Sequence, residues 1–271
     1  MKNSEQEKKE QEKMPLTSHL EELRTRLVRS LIAVAIAFAG TYNFKERLLE
    51  ILTAPLVSAL PKGSHLIYTG LPEAFFNYLK ISFFAAIIVA FPYILYQIWK
   101  FISPGLYRTE RKHVIPFVVS STFLFVGGVL FAYFIVLPPA FKFFVEFSTD
   151  FLKPMLSLRE YLSLATKLLL AFGLVFEIPV FIFFLSRLGL VNAKMLAAKR
   201  KYAVLIIFIV AAILTPTPDA FTQCLMAVPM MILYEVGIIV SKWGYKARSK
   251  SREDSDVDEG HEAEAGLDQE D

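Results

Sequence analysis

Long apolar runs alternate with short polar segments along this chain. The runs cover about 27–44, 74–99, 114–137, 161–185, 202–214 and 220–241. A spanning helix needs about 20 mainly apolar residues, because each adds 1.5 Å across a hydrocarbon core of about 30 Å. Six segments meet or approach that length, and unbroken apolar character favours helices over the alternation of a barrel strand. The predicted fold class is therefore all-α, a polytopic membrane protein of six transmembrane helices, some of them kinked. A six-helix domain over 16–245 is expected between a charged tail at 1–15 and a second tail at 246–271, acidic from 253. Both tails read as disordered, since neither has apolar surface to bury.

The last two runs make a hairpin whose turn is Thr215-Pro216-Thr217-Pro218-Asp219. Two prolines so close break any helix. Before the turn lie 13 apolar residues, Tyr202 to Leu214, which reach only ~20 Å as a helix. Either Lys199, Arg200 and Lys201 snorkel and the helix ends early, or the bilayer thins beside it. The first outer loop carries an amphipathic stretch, Phe44–Leu52, followed by Pro55 and Pro61. The second runs from Pro138-Pro139 to Arg159 and reads as short interfacial helices.

Composition strengthens the membrane reading and removes other classes. Of 271 residues, 55% are apolar and 25 are Phe, although the two ends are almost wholly polar. A soluble domain has no use for such an excess. A single cysteine, Cys224, excludes a disulfide scaffold or a zinc cluster. The four histidines (His19, His65, His113, His261) lie outside every long apolar run, which excludes intramembrane haem or His-based proteolysis. No phosphate-cradling glycine motif occurs. No cofactor, metal or nucleic-acid partner is expected, and the start does not read as a secretory signal peptide.

Lysine and arginine orient the spans. Residues 1–29 hold seven, 100–112 four, 187–201 five and 242–252 five, giving 21 on one side. The loops 45–62 and 138–159 hold three each, giving six on the other. Both termini are therefore expected on the cytoplasmic side. The formal net charge of +3 hides a basic body, because 253–271 holds 10 of the 26 acidic residues.

Two constellations carry candidate chemistry. Glu177 stands near the middle of the fourth run, in AFGLVFEIPV. A charge there costs about 2.5–3.5 kcal/mol on insertion scales, so it should face protein, water or a partner. Pro179, two residues on, should kink that helix. Glu177 reads as a protonated packing residue, a proton relay or a docking point, while Glu235 reads as a packing or interfacial residue. Gln223, at the start of the last span, can cap its own helix or donate to a partner. The second constellation is cytoplasmic: Glu21 and Glu22 in HLEELRTRL, with Leu20, Leu23 and Leu27 along one face, and Glu110 in SPGLYRTERKH. Glu22 can pair with Arg26 at i+4, and carboxylates in a basic surround can also accept a guanidinium in a fork that lysine reproduces poorly.

In order along the chain, HLEELRTRL, Ala54-Pro55-Leu56, FPYILYQIWKFISPGLYRTER, AFGLVFEIPV and LTPTPDAFTQ resemble the TatC family. That family is the multispanning component of the twin-arginine, Sec-independent protein translocase. The resemblance runs from about Met14 to Trp243 and rests on the motifs jointly. It implies a glove-like concave bundle in the cytoplasmic (inner) membrane and no enzymatic activity. It further implies a core receptor subunit that binds twin-arginine signal peptides of folded precursors and assembles with the single-span TatA and TatB. Transport would be driven by the proton-motive force, with self-association in a receptor complex. Carried over residue by residue, signal-peptide binding falls on Glu22, Arg24, Phe101, Leu106, Tyr107, Glu110 and Arg111, and partner docking on Glu177 and Gln223. Pro55 would shape a periplasmic cap, and Pro92, Pro179 and Asp219 would be structural. The turn TPTPD departs from the family's two adjacent prolines before Asp, which leaves Pro216 and Pro218 without an assigned role. The competing class is an ion-coupled transporter using Glu177 as its proton site; a poverty of other polar groups at depth counts against it.

Overall fold

The computed structural model of the chain describes residues 16–59, 66, 67, 70, 72–102, 114–146, 157–215 and 219–267, and its regular elements are all helical. They are α1 (Leu16–Tyr42), α2 (Lys45–Ala59), α3 (Glu73–Ile102), α4 (Val114–Phe131), α5 (Leu137–Glu146), α6 (Leu158–Phe176), α7 (Ile178–Leu188), α8 (Ala193–Ala198), α9 (Arg200–Leu214) and α10 (Ala220–Leu267). Extended backbone pairs among the described residues only as an isolated bridge between Ile67 and Ser157. Among the described residues, four stretches are long and apolar enough to cross a membrane: Glu73–Ile102, Ile115–Phe143, Leu158–Leu188 and Ala220–Gly244. A fifth is added if α1 and α2, bent by 85°, are one broken span. The fifteen residues of α9 extend over about 22 Å, short of a hydrocarbon core of about 30 Å. Beyond the apolar part of α10 the helix continues to Leu267, through sequence that reads as a tail without a core of its own.

The chain forms two compact units. One holds Met1–Leu48 with Tyr78–Thr122, the other Leu49–Asn77 with Phe123–Asp271. In the first, α1 lies on α3 through Val34, Ala86 and Ala90, flanked by Ala37, Phe38, Ile87 and Ile94. Small residues let the backbones approach, which is what association in lipid requires when apolar burial gives no net drive. Thr41 Oγ1 donates to the Ser82 carbonyl at 2.8 Å, pinning the C-terminal end of α1 to α3. Pro92 lies inside α3, whose helix runs on through it.

In the second unit, two proline effects shape the segments between the spans. Pro138 and Pro139 do not end the third span as their position in the sequence predicts. The helix passes through a π-helical turn, Ala132–Val136, and goes on as α5 to Glu146. Both prolines lack the N–H that the carbonyls four residues back would receive. The wider turn just before them, closed by the Leu137 N–H on the Ala132 carbonyl, takes up that mismatch. Residues 147–156 of this loop and Pro61 of the first lie outside the described residues.

Pro55 sits within α2 and likewise leaves the Ile51 carbonyl without a helical donor. The Tyr133 hydroxyl donates to that carbonyl at 2.6 Å, and the buried Tyr161 hydroxyl donates to the next one, Leu52, at 2.5 Å. Two tyrosines thus clamp the proline turn. Removing the buried hydroxyl gives up one hydrogen bond across the two helices, so Tyr161→Phe should cost about 0.5–1.5 kcal/mol. Its thermal midpoint in detergent should fall below that of Tyr133→Phe, whose site is more accessible; equal midpoints would remove the clamp. Nearby, the buried Glu73 carboxylate accepts from the Gly70 N–H at 3.3 Å and the Arg159 N–H at 3.2 Å, tying the start of α3 to the start of α6.

Helices α4 and α6 interleave glycine with phenylalanine. A Cβ at Gly128 would lie 2.5 Å from the Phe172 carbonyl oxygen, and one at Gly173 would lie 2.6 Å from the Phe125 ring. Phe125, Leu162, Leu168, Leu169 and Phe172 fill this interior. At α7 and α10, Gly237 admits the Ile182 side chain in the same way.

Candidate functional site

The inward row of α1 is polar at its basic end and apolar beyond. Glu22, Arg26 and Ser30 are half-buried, followed by buried Val34 and half-buried Phe38 at the same four-residue spacing. The leucines that make α1 look amphipathic, Leu20, Leu23 and Leu27, are exposed. The protein-facing row therefore carries the Glu22–Arg26 pair, while Glu21, Arg24 and Arg29 are exposed.

Arg26 Nε donates to Glu22 Oε1 at 2.9 Å, and Nη2 donates to the same oxygen. Nη1 reaches Oε1 of Gln97 on α3 at 3.4 Å. The side chains of Arg26 and Glu22 are 12% and 24% exposed, and Gln97 is buried. Beside them opens a cavity of about 270 Å³ lined by Glu21, Glu22, Thr25, Arg26 and Arg29. One turn before Glu22, His19 stacks on Phe101 with ring centroids 4.3 Å apart, which sets the end of α3 against the start of α1. Trp99 stacks on Phe117 at 5.0 Å and braces the same end.

Of the residues expected to bind a peptide, Glu22 and Phe101 are thus brought to one end of the first unit. Arg24 is exposed on the other side of α1. Leu106, Tyr107, Glu110 and Arg111 lie outside the described residues. Sequence reasoning paired Glu22 with Arg26 but missed Gln97 and His19. An amide in the otherwise apolar stretch YILYQIW was the available signal for the first, whereas nothing local marks the second.

Glu177 occupies the one-residue break between α6 and α7. Its N–H bonds the Leu174 carbonyl at 3.1 Å, a tightened last turn, and its carbonyl starts α7 by accepting from Phe181 at 2.9 Å. Pro179, in the first turn of α7, supplies no N–H to the ladder, which places the break here. The side chain is half-buried and its Oε1 is shielded from solvent.

Asp219 caps α10, accepting from the Thr222 N–H at 2.7 Å and from the Thr222 hydroxyl. Gln223 Nε2 donates to the Phe208 carbonyl of α9 at 3.1 Å, locking the hairpin from inside. Pro216 and Pro218 lie outside the described residues. Glu235 takes a two-point pair from Arg200, Nε–Oε1 2.7 Å and Nη2–Oε2 2.8 Å. The hydrogen bond and charge of Glu235 raise the Arg200 guanidinium above its ordinary pKa. Among the described residues no His, Cys, Asp and Glu group could hold a metal ion.

These features define the class: an all-α, multi-pass membrane protein with a charged site at the end of its first helices and a carboxylate set into a broken span. The family model for "Sec-independent protein translocase protein (TatC)" matches residues 18–229. The chain belongs to the TatC family. It is 52% identical over 253 residues to the TatC of Desulforapulum autotrophicum, covering 92% of this chain and 93% of that one. To the TatC of Escherichia coli K12 it is 40% identical over 240 residues, 89% and 92% of the two chains. A crystal structure of the twin arginine translocase receptor TatC superposes with a TM-score of 0.75 at 42% identity, covering 83% of this chain and 99% of that chain. The family is a translocase component and not an enzyme.

Proposed function

We propose that this protein is the receptor subunit of a twin-arginine translocase, holding the arginine pair of a precursor's leader at the basic end of α1 and α3. The observation that carries this reading is Glu22: a largely buried carboxylate beside an open cavity, with His19, one turn before it, stacked on Phe101. A guanidinium meets such a carboxylate with parallel charge-assisted bonds, at low cost in dehydration. Glu110, by family resemblance, is the second carboxylate, with Arg24, Leu106, Tyr107 and Arg111 around it. The excess of 21 cationic residues over six supports a cytoplasmic position for this end and for both termini. In this reading the membrane is the inner membrane, transport is driven by the proton-motive force, and receptor copies self-associate. Glu177 and Gln223 serve the docking of the single-span subunits TatA and TatB, Glu177 because a mid-span carboxylate favours a polar partner over lipid.

A photocrosslinker at position 110, in membranes given a precursor with an Arg-Arg or a Lys-Lys leader, tests the reading. The Arg-Arg leader should crosslink about tenfold more, as loss of one forked contact worth about 1.4 kcal/mol implies. Equal crosslinking would overturn it.

A further inference from the structure

We propose that Arg26 is a built-in stand-in for the incoming arginine, and that its exchange sets the preference for an Arg-Arg over a Lys-Lys leader. The inference rests on the reading of Glu22 as a leader-binding carboxylate. An i,i+4 ion pair on an exposed helix is ordinary and weak. This one differs in two respects. The guanidinium is largely buried, and it is held from two helices at once, by Glu22 on α1 and by the buried amide of Gln97 on α3. Both donors to the carboxylate fall on Oε1, which leaves Oε2 outside the pair.

The cavity wall is also balanced in charge: Glu21 and Glu22 stand against Arg26 and Arg29. A doubly cationic peptide therefore meets no surplus of negative charge there. It gains only by sharing Glu22 or by taking the place of Arg26. A guanidinium reproduces what Arg26 supplies, a planar cation with two donors for one carboxylate, so the exchange is close to even. An ammonium offers a point charge, gives up a tighter hydration shell and leaves the exchange uphill. Gln97 keeps its hydrogen bond to the displaced Arg26, so the resident cation is not stranded. Selectivity on this account comes from the competitor already in the site as much as from the carboxylate.

The test titrates full-length receptor in membranes with the Arg-Arg and Lys-Lys forms of one precursor and reads binding by crosslinking. Wild type, Arg26→Gln, Arg26→Lys and Glu22→Gln are compared, with receptor quantity in the membrane as the folding control. In Arg26→Gln the Lys-Lys form should gain, and the Arg-Arg to Lys-Lys ratio should fall about tenfold, equal to 1.4 kcal/mol. Arg26→Lys keeps the cation, guards against a folding failure and should lower the ratio in the same direction. An unchanged ratio in both Arg26 variants, with binding lost in Glu22→Gln, overturns the inference and leaves the receptor reading standing. A ratio that falls only through loss of Arg-Arg binding makes Arg26 a scaffold and overturns it too. Wild-type binding in Glu22→Gln overturns the receptor reading itself, and the inference with it.

Discussion

Glu22→Gln should bind a twin-arginine leader about 10- to 100-fold more weakly than wild type, since hydrogen bonds to a charged group contribute about 1.5–3 kcal/mol. The amide keeps the shape and one acceptor, but it loses the charge that both Arg26 and a ligand guanidinium require. The substitution also leaves the Arg26 cation, 12% exposed, without its counter-charge. Part of the loss will therefore be structural, and receptor abundance must be measured beside crosslinking yield. Glu21→Gln is the control. Its side chain is exposed and lines the same cavity, so a merely electrostatic contribution would fall in both variants. A contact-based site predicts a much smaller loss for Glu21→Gln. Equal losses in the two would replace the contact model with a diffuse charge effect.

Gly128→Ala should be the most damaging single methyl in the protein's interior. Its Cβ would stand 2.5 Å from the Phe172 carbonyl oxygen and 2.9 Å from the Phe176 Cβ. The first of these is backbone, so relief requires α4 and α6 to separate. Overpacking of this kind typically costs about 1–3 kcal/mol, and here it disturbs the Phe125–Phe172 interior that both helices share. Gly127→Ala is the matched control, because nothing lies within 4 Å of its added Cβ. Thermal midpoints or protease resistance in detergent should separate the neighbours: Gly127→Ala near wild type, Gly128→Ala well below it. Indistinguishable midpoints would mean that the helices tolerate a wider spacing than the geometry allows.

The two glycines show the limit of local reading. They are adjacent, lie in the same apolar run and are chemically identical; only the position of α6 makes one of them indispensable. The same holds for the site. An i,i+4 pairing of Glu22 with Arg26 follows from helical spacing and was legible. Gln97 is 71 residues from Arg26, and its role depends on the crossing of α1 and α3. The leucines at 20, 23 and 27 share one face in the sequence, yet all three are exposed, and it is the Glu22–Arg26 pair that turns toward α3. Pro138-Pro139 misled for a related reason. Proline ends a helix when nothing absorbs the missing donors, and a π-helical turn upstream absorbed them.

By itself, the order of residues determined the all-α membrane class, the apolar runs, the short helix before the final turn, the break at Glu177 and the family. Each follows from short-range physics: the rise per residue, the absence of a proline N–H, the cost of a charge in hydrocarbon. Only the tertiary structure decided which face of α1 is buried, that Gln97 shares Arg26, that Gln223 bonds the Phe208 carbonyl and that two tyrosines clamp the Pro55 turn. Those outcomes depend on partners brought from distant parts of the chain, and no local pattern encodes which partner arrives.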